Sequence, residues 1–185
     1  MSPPCICSAG TFTKGPGVTG PFGFFDPLGF TKGLSESDFM LRREAELAHG
    51  RVAMVGALGF LVQEGFHPIF PDVSGPAINQ LTQITLFPQG QNAFFVMSTA
   101  IAFAELARAR KGWIDPKDLV PGGSRLQDGY LPGDLGFDPL GMKPKDAAGL
   151  LSMQNKEINN GRLAMVAVAG MVSQELVTQQ GLFGA

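Results

Sequence analysis

Three long stretches of the chain lack proline and are dominated by apolar residues, and turn-rich segments separate them. The three stretches cover about residues 36–66, 91–111 and 145–178. Ser35 and Asp38 form a capping pair at the start of the first stretch, as is typical of a helix N-terminus. The remaining segments hold all 14 prolines, which break regular structure. The pattern predicts three helices, with at most short amphipathic helices in the loops.

The central parts of the two outer predicted helices carry no charge on any face, which favours a membrane bundle over a soluble one. Val52–Val62 and Leu163–Val172 contain no charged residue, whereas a surface helix of a soluble three-helix bundle has a polar side. Leu47–Phe66 is about as long as one bilayer span. The apolar part of the middle helix, Ala93–Ala104, spans only together with both helix ends. We expect an all-α membrane protein with three spans.

Composition and charge agree with this interpretation. Charged residues make up 16% of the chain, against about 25% in a typical soluble domain. Lys and Arg flank the spans on one side only, since residues 64–92 and 173–185 contain none. The positive-inside rule then places the N-terminus on the basic side. The net charge of −2 gives no reason to expect a nucleic-acid partner.

A box of buried charges occurs twice in the chain. The sequence ELAHGRVAM at residues 46–54 returns as EINNGRLAM at residues 157–165, a constant spacing of 111 residues. The sequence Phe-Asp-Pro-Leu-Gly precedes both outer helices, with its aspartates at Asp26 and Asp138. Since internal repeats tend to pack symmetrically, the first and third helices should cross with pseudo-two-fold symmetry. We predict a single domain over residues 1–185.

The charges of the two boxes are predicted to pair between helices. Glu46 and Arg51 are five residues apart, which puts them ~140° apart around one helix and poorly placed to pair. Under the predicted symmetry Glu46 meets Arg162 and Glu157 meets Arg51, so each buried pair is neutral. Small residues beside the boxes allow the close backbone approach that such a crossing needs. Two structural ion pairs are the simplest interpretation.

Polar donors remain after this pairing. His49 and Asn160 occupy equivalent positions, each three residues after its Glu, and Gln63 and Gln174 follow fourteen residues later. Such residues could be hydrogen-bonded groups of the bundle core. One kind of ligand that uses single N or O donors spaced along a helix is a magnesium porphyrin, whose metal takes one axial ligand from the protein. The duplication of the pattern favours the magnesium site.

Other candidates are weaker. Glu105 has Arg108 one turn later, a local pair that leaves a carboxylate oxygen for a metal, and His67 is a ligand candidate or an interfacial side chain. Cys5 and Cys7 are expected to be plain exposed thiols. Residues 1–20 lack the pattern of a signal or transit peptide, so none exists or it has been removed. No nucleophile–base pair or metal cluster suggests an enzyme.

The paired boxes and the two Asp-Pro-Leu-Gly turns resemble those of light-harvesting chlorophyll-binding antenna proteins of photosynthetic eukaryotes, over about residues 20–178. The loop sequences, Gly-Phe-His-Pro at 65–68 and Gly-Asp-Leu-Gly-Phe-Asp-Pro at 133–139, are more similar to the red-lineage chlorophyll a/c type than to green-plant antennae. The resemblance implies a three-span fold in the plastid thylakoid membrane with the N-terminus in the stroma.

The resemblance also implies specific roles for the matching residues. The implied axial ligands to chlorophyll magnesium are Glu46, His49, Glu105, Glu157, Asn160 and Gln174. Arg51 and Arg162 match the interhelical charge partners, and the segments at Asp26 and Asp138 match turns that hold carotenoid ends. Gln63 is an additional donor that we assign to chlorophyll. No histidine follows Gln174, and Met97 stands where a glutamine would bind a second middle-helix pigment.

The implied cofactors are chlorophyll a, chlorophyll c and a xanthophyll of the fucoxanthin, peridinin or alloxanthin type, with bound lipid as a further candidate. The implied partners are a photosystem core, I or II, neighbouring antenna subunits and the lipid membrane. We therefore predict a non-enzymatic antenna that absorbs light and passes excitation to a photosystem. The alternatives are a photoprotective, energy-quenching member of the same family and, from another class, a small ion-coupled transporter subunit. A structural assembly factor that keeps only the ion pairs is a third.

Overall fold

The computed structural model describes residues 15–66, 68, 72–120, 123 and 125–183. In chain order its helices are α1 (Glu36–Gln63), α2 (Ala77–Ile84), α3 (Pro88–Gly112) and α4 (Ala147–Thr178). Within the described ranges, β pairing is limited to two isolated bridges, Thr19–Gly23 and Trp113–Leu126. The prediction of an all-α protein is confirmed for these residues.

Ser35 caps α1, as its spacing from Asp38 predicts. The Ser35 hydroxyl accepts the backbone N–H of Asp38 at 3.2 Å and donates to the Asp38 carboxylate at 2.7 Å. Glu36 and Asp38 place negative charge in the first turn, where it interacts favourably with the helix dipole. The helix ends at Gln63, three residues before the predicted end, and the next residues form a turn.

α3 and α4 begin within three residues of their predicted starts, and the residues at the helix ends explain the differences. α3 begins at Pro88, because proline is well suited to the first helical position, where no intrahelical N–H bond is lost. α4 begins at Ala147 rather than Lys145, because the Asp146 carboxylate accepts the backbone N–H of Gly149 at 2.6 Å and so caps the helix.

The short helix α2 lies in the loop where at most a short helix is predicted. Gln80 is 3% exposed, and its amide donates to the carbonyl oxygens of Gly75 at 2.9 Å and Gln63 at 3.4 Å. The bond to Gln63 ties α2 to the last residue of α1, and the bond to Gly75 ties it to the loop before α2. This buried glutamine therefore helps to hold the loop against α1.

α1 is long and apolar enough to cross a membrane, and among the described residues it is the one helix that passes on both counts. Its most apolar window has a mean hydropathy of 1.3 and is only 11% buried within the protein. The core helix of a soluble protein would be mostly buried instead. α3 and α4 contain 25 and 32 residues, each longer than the ~20 that a span needs.

The chain forms two compact units. The first takes in the chain up to His49 and Ala107–Asn160, and the second takes in Gly50–Leu106 and the chain from Gly161 onward. In the first unit, the chain after α3 doubles back, with Ile114 and Gln127 donating backbone N–H groups to the carbonyls of Arg125 and Gly112. α1, α3 and α4 each contribute residues to both units.

Candidate functional site

The two Asp-Pro-Leu-Gly turns have the same hydrogen-bond pattern. The Asp26 carboxylate accepts the backbone N–H groups of Phe30 at 3.0 Å and Thr31 at 2.9 Å. The Asp138 carboxylate accepts from the two residues at the equivalent positions, which are Met142 and Lys143, at 2.9 Å each. Each carboxylate is thus used within its own turn, and the repeat in the sequence corresponds to a repeat in the structure.

These hydrogen bonds hold the pKa of both aspartates below the ordinary value. For Asp26 the largest cause is the hydrogen bond from the Thr31 hydroxyl, followed by the Thr31 backbone N–H. For Asp138 it is the backbone N–H of Lys143, followed by that of Met142. Hydrogen bonds to the charged form favour that form, so both turns carry a negative charge at neutral pH.

His49 lies in α1, and one of its two ring nitrogens is hydrogen-bonded to the backbone. Its Nδ1 lies 2.7 Å from the carbonyl oxygen of Ala45, one turn earlier. A carbonyl can only accept, so Nδ1 carries the proton and Nε2 keeps its lone pair. A hydrogen bond of this kind fixes the tautomer and orientation of histidines that bind metals. The rest of the polypeptide does not cover the His49 side chain, so Nε2 is accessible to a ligand.

Glu46, the other predicted donor of the first box, forms a salt bridge within α1. Arg43 Nη1 lies 2.8 Å from Glu46 Oε2, and the two side chains are 13% and 28% exposed. This local pair was not foreseen from the sequence. The interhelical pairs of Glu46 with Arg162 and of Glu157 with Arg51 stay predictions.

The other predicted donors lie on the three long helices, and most of their side chains are exposed. Glu105 lies in α3, and the remaining donors lie in α1 or α4: Gln63, Glu157, Asn160 and Gln174. His67 lies outside the described residues, as do Cys5 and Cys7. Among the described residues, no three His, Cys, Asp or Glu side chains converge on a common point. Separate donors of this kind suit magnesium porphyrins, because the metal of each porphyrin takes one axial ligand from the protein.

Gly50 of α1 and Gly161 of α4, the central residues of the two boxes, are in backbone contact with each other. A Cβ at either position would lie 3.0 Å from the Cα and 3.5 Å from the carbonyl carbon of the other. Identical distances in both directions are what a contact between equivalent residues of two symmetric elements gives. The backbones therefore meet at the position where the predicted crossing requires small residues.

The equivalent glutamates Glu64 and Glu175 each hold the chain that follows the other's helix. Glu64 accepts the backbone N–H groups of Leu182 at 2.8 Å and Phe183 at 3.2 Å. Glu175 is 1% exposed and accepts the backbone N–H of Ile78, at the start of α2, at 2.9 Å. Burial acts to raise the pKa of Glu64, but the Leu182 and Phe183 N–H groups and the hydrogen bond with Glu175 outweigh burial, and that pKa lies below its ordinary value.

Glu44 is a buried charge that the sequence-based reasoning missed. It is 3% exposed, and its carboxylate accepts hydrogen bonds from Arg108 at 3.3 Å, Tyr130 at 3.2 Å and the Gly133 N–H at 2.7 Å. Arg108, predicted as a local partner of Glu105, binds Glu44 in the structure, and its pairing with Glu105 stays a prediction. The repeat holds a clue, because Asn155 stands 111 residues after Glu44 and also accepts a backbone N–H, that of Gly17, at 2.7 Å.

Large apolar side chains cover the outer faces of the long helices. Val52 and Val55 in α1, Phe95 in α3 and Leu163 and Val166 in α4 are each 70–73% exposed. An exposed apolar surface of this extent is unusual for a soluble monomer and marks a surface that binds lipid, ligand or protein. The donors thus lie on helices whose surfaces suit lipid or an apolar ligand.

Comparison with known proteins agrees with this arrangement. The sequence profile of the family described as "Chlorophyll A-B binding protein" matches residues 12–176. A fucoxanthin-chlorophyll a-c binding protein of Isochrysis galbana is 47% identical over 88% of this chain and 76% of its own length. Light-harvesting complex stress-related protein 3.2 of Chlamydomonas reinhardtii is 49% identical over 93% of this chain and 67% of its own.

A chlorophyll a-b binding protein of Petunia hybrida is more distant, at 33% identity over 89% of this chain and 61% of its own length. The profile match covers most of the described residues, including both boxes and both Asp-Pro-Leu-Gly turns. The resemblance seen in the sequence is therefore confirmed, and the chain belongs to the chlorophyll a-b binding protein family.

Proposed function

We propose that this protein is a light-harvesting antenna subunit that binds chlorophylls and carotenoids in the plastid thylakoid membrane and transfers excitation to a photosystem. Membership of a light-harvesting family, whose members are not enzymes, supports the proposal at the level of class. The observation that carries it at the level of residues is the His49–Ala45 hydrogen bond of 2.7 Å, which leaves Nε2 open as a single axial donor. Chlorophyll, when bound, supplies the light absorption.

The chain's part is to hold each pigment at a fixed place. The proposed axial ligands are Glu46, His49, Glu105, Glu157, Asn160 and Gln174, with Gln63 and His67 as further candidates. A rigid helix positions such ligands better than a loop does. Arg51 and Arg162 neutralise the glutamates of the opposite boxes, which makes buried carboxylates tolerable in an apolar span.

We further propose that α1, α3 and α4 all span the membrane, with α1 and α4 related by pseudo-two-fold symmetry. The reciprocal contact between Gly50 and Gly161 supports the symmetry. The side of the spans rich in Lys and Arg would face the stroma, together with the N-terminus. Exposed apolar side chains along all three helices support lipid or pigment as their surroundings.

The pigments that we propose are chlorophyll a, chlorophyll c and a xanthophyll. The name of the Isochrysis galbana relative refers to fucoxanthin and to chlorophylls a and c, which supports this choice over chlorophyll b. The turns at Asp26 and Asp138 would each hold one end of a xanthophyll. A photosystem core and neighbouring antenna subunits are the proposed partners.

Pigment reconstitution tests the proposal. The protein refolded in detergent with chlorophylls a and c and a xanthophyll should give a stable complex. Light absorbed by the xanthophyll should then excite chlorophyll a fluorescence. A complex that binds pigment without such transfer would contradict an antenna function, and a folded protein that binds none would contradict pigment binding altogether.

The relatives also favour a second candidate function, photoprotective quenching. The Chlamydomonas reinhardtii relative is named as stress-related and is as similar to this chain as the fucoxanthin protein is. Chlorophyll fluorescence lifetimes of the purified complex at neutral and acidic pH separate the two functions. An antenna keeps a long lifetime at both pH values, whereas a quencher shows a short lifetime in at least one.

A further inference from the structure

Glu44 connects three parts of the chain through one buried carboxylate. Its Oε1 accepts from Arg108 of α3, and its Oε2 accepts from the Tyr130 hydroxyl and the Gly133 backbone N–H in the loop before α4. The Arg108–Glu44 pair is largely buried, with side-chain exposures of 24% and 4%. Hydrogen bonds to a charged group are stronger than neutral ones, so this loop is held firmly to α1.

The anchored loop leads directly into the second Asp-Pro-Leu-Gly turn. Asp134, next to Gly133, forms a salt bridge with Lys143 at 2.6 Å and accepts the Gly136 N–H at 3.1 Å. Lys143 also donates its backbone N–H to Asp138. The Asp134–Lys143 bridge therefore closes residues 134–143 into one tied segment. The position of this segment depends on the Glu44 anchor at its N-terminal end.

The first turn is anchored in the equivalent way to the helix of the other repeat. Asn155 of α4 stands at the position equivalent to Glu44 and accepts the Gly17 N–H at 2.7 Å. One turn later, the Asn159 side chain hydrogen-bonds the Thr19 hydroxyl at 3.2 Å. The segment before each Asp-Pro-Leu-Gly turn is thus tied to the outer helix of the other repeat.

Both anchored turns present apolar side chains outward. Phe137 is 85% exposed and Leu140 is 80% exposed, and the equivalent residues of the first turn, Phe25 and Leu28, are 71% and 76% exposed. The carboxylates meanwhile are used inside the turns. An apolar surface whose position is fixed by hydrogen bonds to the opposite outer helix suits a rod-shaped apolar pigment whose end must be fixed.

We propose that Glu44 is a positioning residue for the xanthophyll end at the Asp138 turn, and that Asn155 has the same role for the Asp26 turn. This inference rests on the proposed pigment-binding function. Neither residue touches the pigment. Each sets the place of one turn relative to the opposite outer helix, and its loss frees one xanthophyll end while the chlorophyll ligands stay in place.

Reconstitution of the full chain with Glu44→Gln and Asn155→Leu tests the inference. Glu44→Gln keeps the shape of the side chain and removes the charge that binds Arg108. Each variant should lose one xanthophyll per polypeptide, so that the ratio of xanthophyll to chlorophyll falls and energy transfer from xanthophyll to chlorophyll a weakens. Glu44→Asp, which keeps the charge, should restore part of the ratio. Glu36→Gln is the control, an exposed α1 glutamate whose change should leave the ratio unchanged.

A merely structural role gives a different result. Both variants would then lower the yield of complex while the xanthophyll-to-chlorophyll ratio stayed at the wild-type value, and that result would overturn the inference. If Glu44→Gln fails to fold, Asn155→Leu decides by the same ratio. A wild-type chain that binds no pigment would instead refute the proposed function itself, so the two failures are distinguishable.

Discussion

At the scale of single residues, hydrogen bonds decide what each polar side chain can still do. The bond from His49 to Ala45 fixes one tautomer and leaves one donor atom, whereas the two oxygens of Asp26 are used by its own turn. The candidate donors could be found from the sequence, because they stand in a duplicated box. Their hydrogen-bond partners could not, as the Arg43–Glu46 bridge illustrates: the helical spacing allows that pair and several others.

His49→Leu is expected to remove one chlorophyll per polypeptide, because leucine has no donor for magnesium. His49→Gln, which keeps an oxygen donor, is the matched control and should retain most of that pigment. Chlorophyll per polypeptide, measured by pigment extraction from the purified complex, gives the answer. Equal chlorophyll content in wild type and His49→Leu would exclude His49 as a ligand.

Asp134 gives a prediction about pH. Its hydrogen bond with Lys143 holds the pKa of Asp134 below the ordinary value. The bond therefore stabilises the fold fully above the unfolded pKa of about 3.9 and loses that effect as the pH falls through the lower folded pKa. Asp134→Asn can still accept the Gly136 N–H but loses the charge.

In thermal unfolding followed by circular dichroism, Asp134→Asn should be less stable than wild type at neutral pH. The two proteins should begin to converge as the pH falls below the unfolded pKa of about 3.9, and convergence should be complete only below the lower folded pKa, where Asp134 is protonated in the folded state as well. A difference that stays constant over this range would show that the Lys143 interaction contributes nothing through charge.

At the scale of helices, sequence and structure agree best where the signal is local. The Ser35–Asp38 cap and the three long helices follow from short-range patterns, and the observed starts differ only where Pro88 and Asp146 set them. Glu44 was missed because two of its partners, Tyr130 and Gly133, lie more than 80 residues away in a loop with no periodicity. The equivalent residue, Asn155, is uncharged, so the repeat indicates a polar position but not a buried charge.

Gly50→Ala should weaken the contact between α1 and α4. The new Cβ would lie 3.0 Å from the Cα of Gly161, a backbone atom that cannot move aside without shifting the helix. Overpacking of this kind costs about 1–3 kcal/mol. Gly59→Ala is the control, because a Cβ at that position of α1 meets nothing within 4 Å.

The expected outcome is a lower melting temperature for the Gly50→Ala complex and an unchanged or slightly higher one for Gly59→Ala, since alanine favours helix. Equal melting of the two variants would mean that α1 and α4 do not depend on the glycine contact.

The proposed pair of Glu46 and Arg162 can be tested by a double-mutant cycle. Glu46→Gln and Arg162→Leu should each lower stability, and the double variant should be less destabilised than the sum, with a coupling of at least about 0.5 kcal/mol. Unfolding in detergent gives the four free energies. Strict additivity would contradict the interhelical pair.

At the scale of the whole molecule, the duplicated sequence corresponds to duplicated contacts. The two turns and the two glycines of the Gly50–Gly161 contact stand at equivalent positions of the repeat. So do Glu64 and Glu175, and Glu44 and Asn155, and each of these four side chains accepts a backbone N–H. Family membership followed from the boxes together with the two Asp-Pro-Leu-Gly turns, and the profile match confirmed it. The choice between harvesting and quenching does not follow from family membership, because a fucoxanthin-chlorophyll a-c binding protein and a stress-related light-harvesting complex protein match this chain at similar identity.

Above all, we propose that this chain binds chlorophyll and xanthophyll and couples them for energy transfer. The most direct test is the fluorescence excitation spectrum of chlorophyll a in the purified, reconstituted complex. We expect a band at xanthophyll wavelengths that follows the absorption spectrum, in a complex whose chlorophyll content falls with His49→Leu. A spectrum without that band, or a stably folded but colourless protein, would contradict the proposed function.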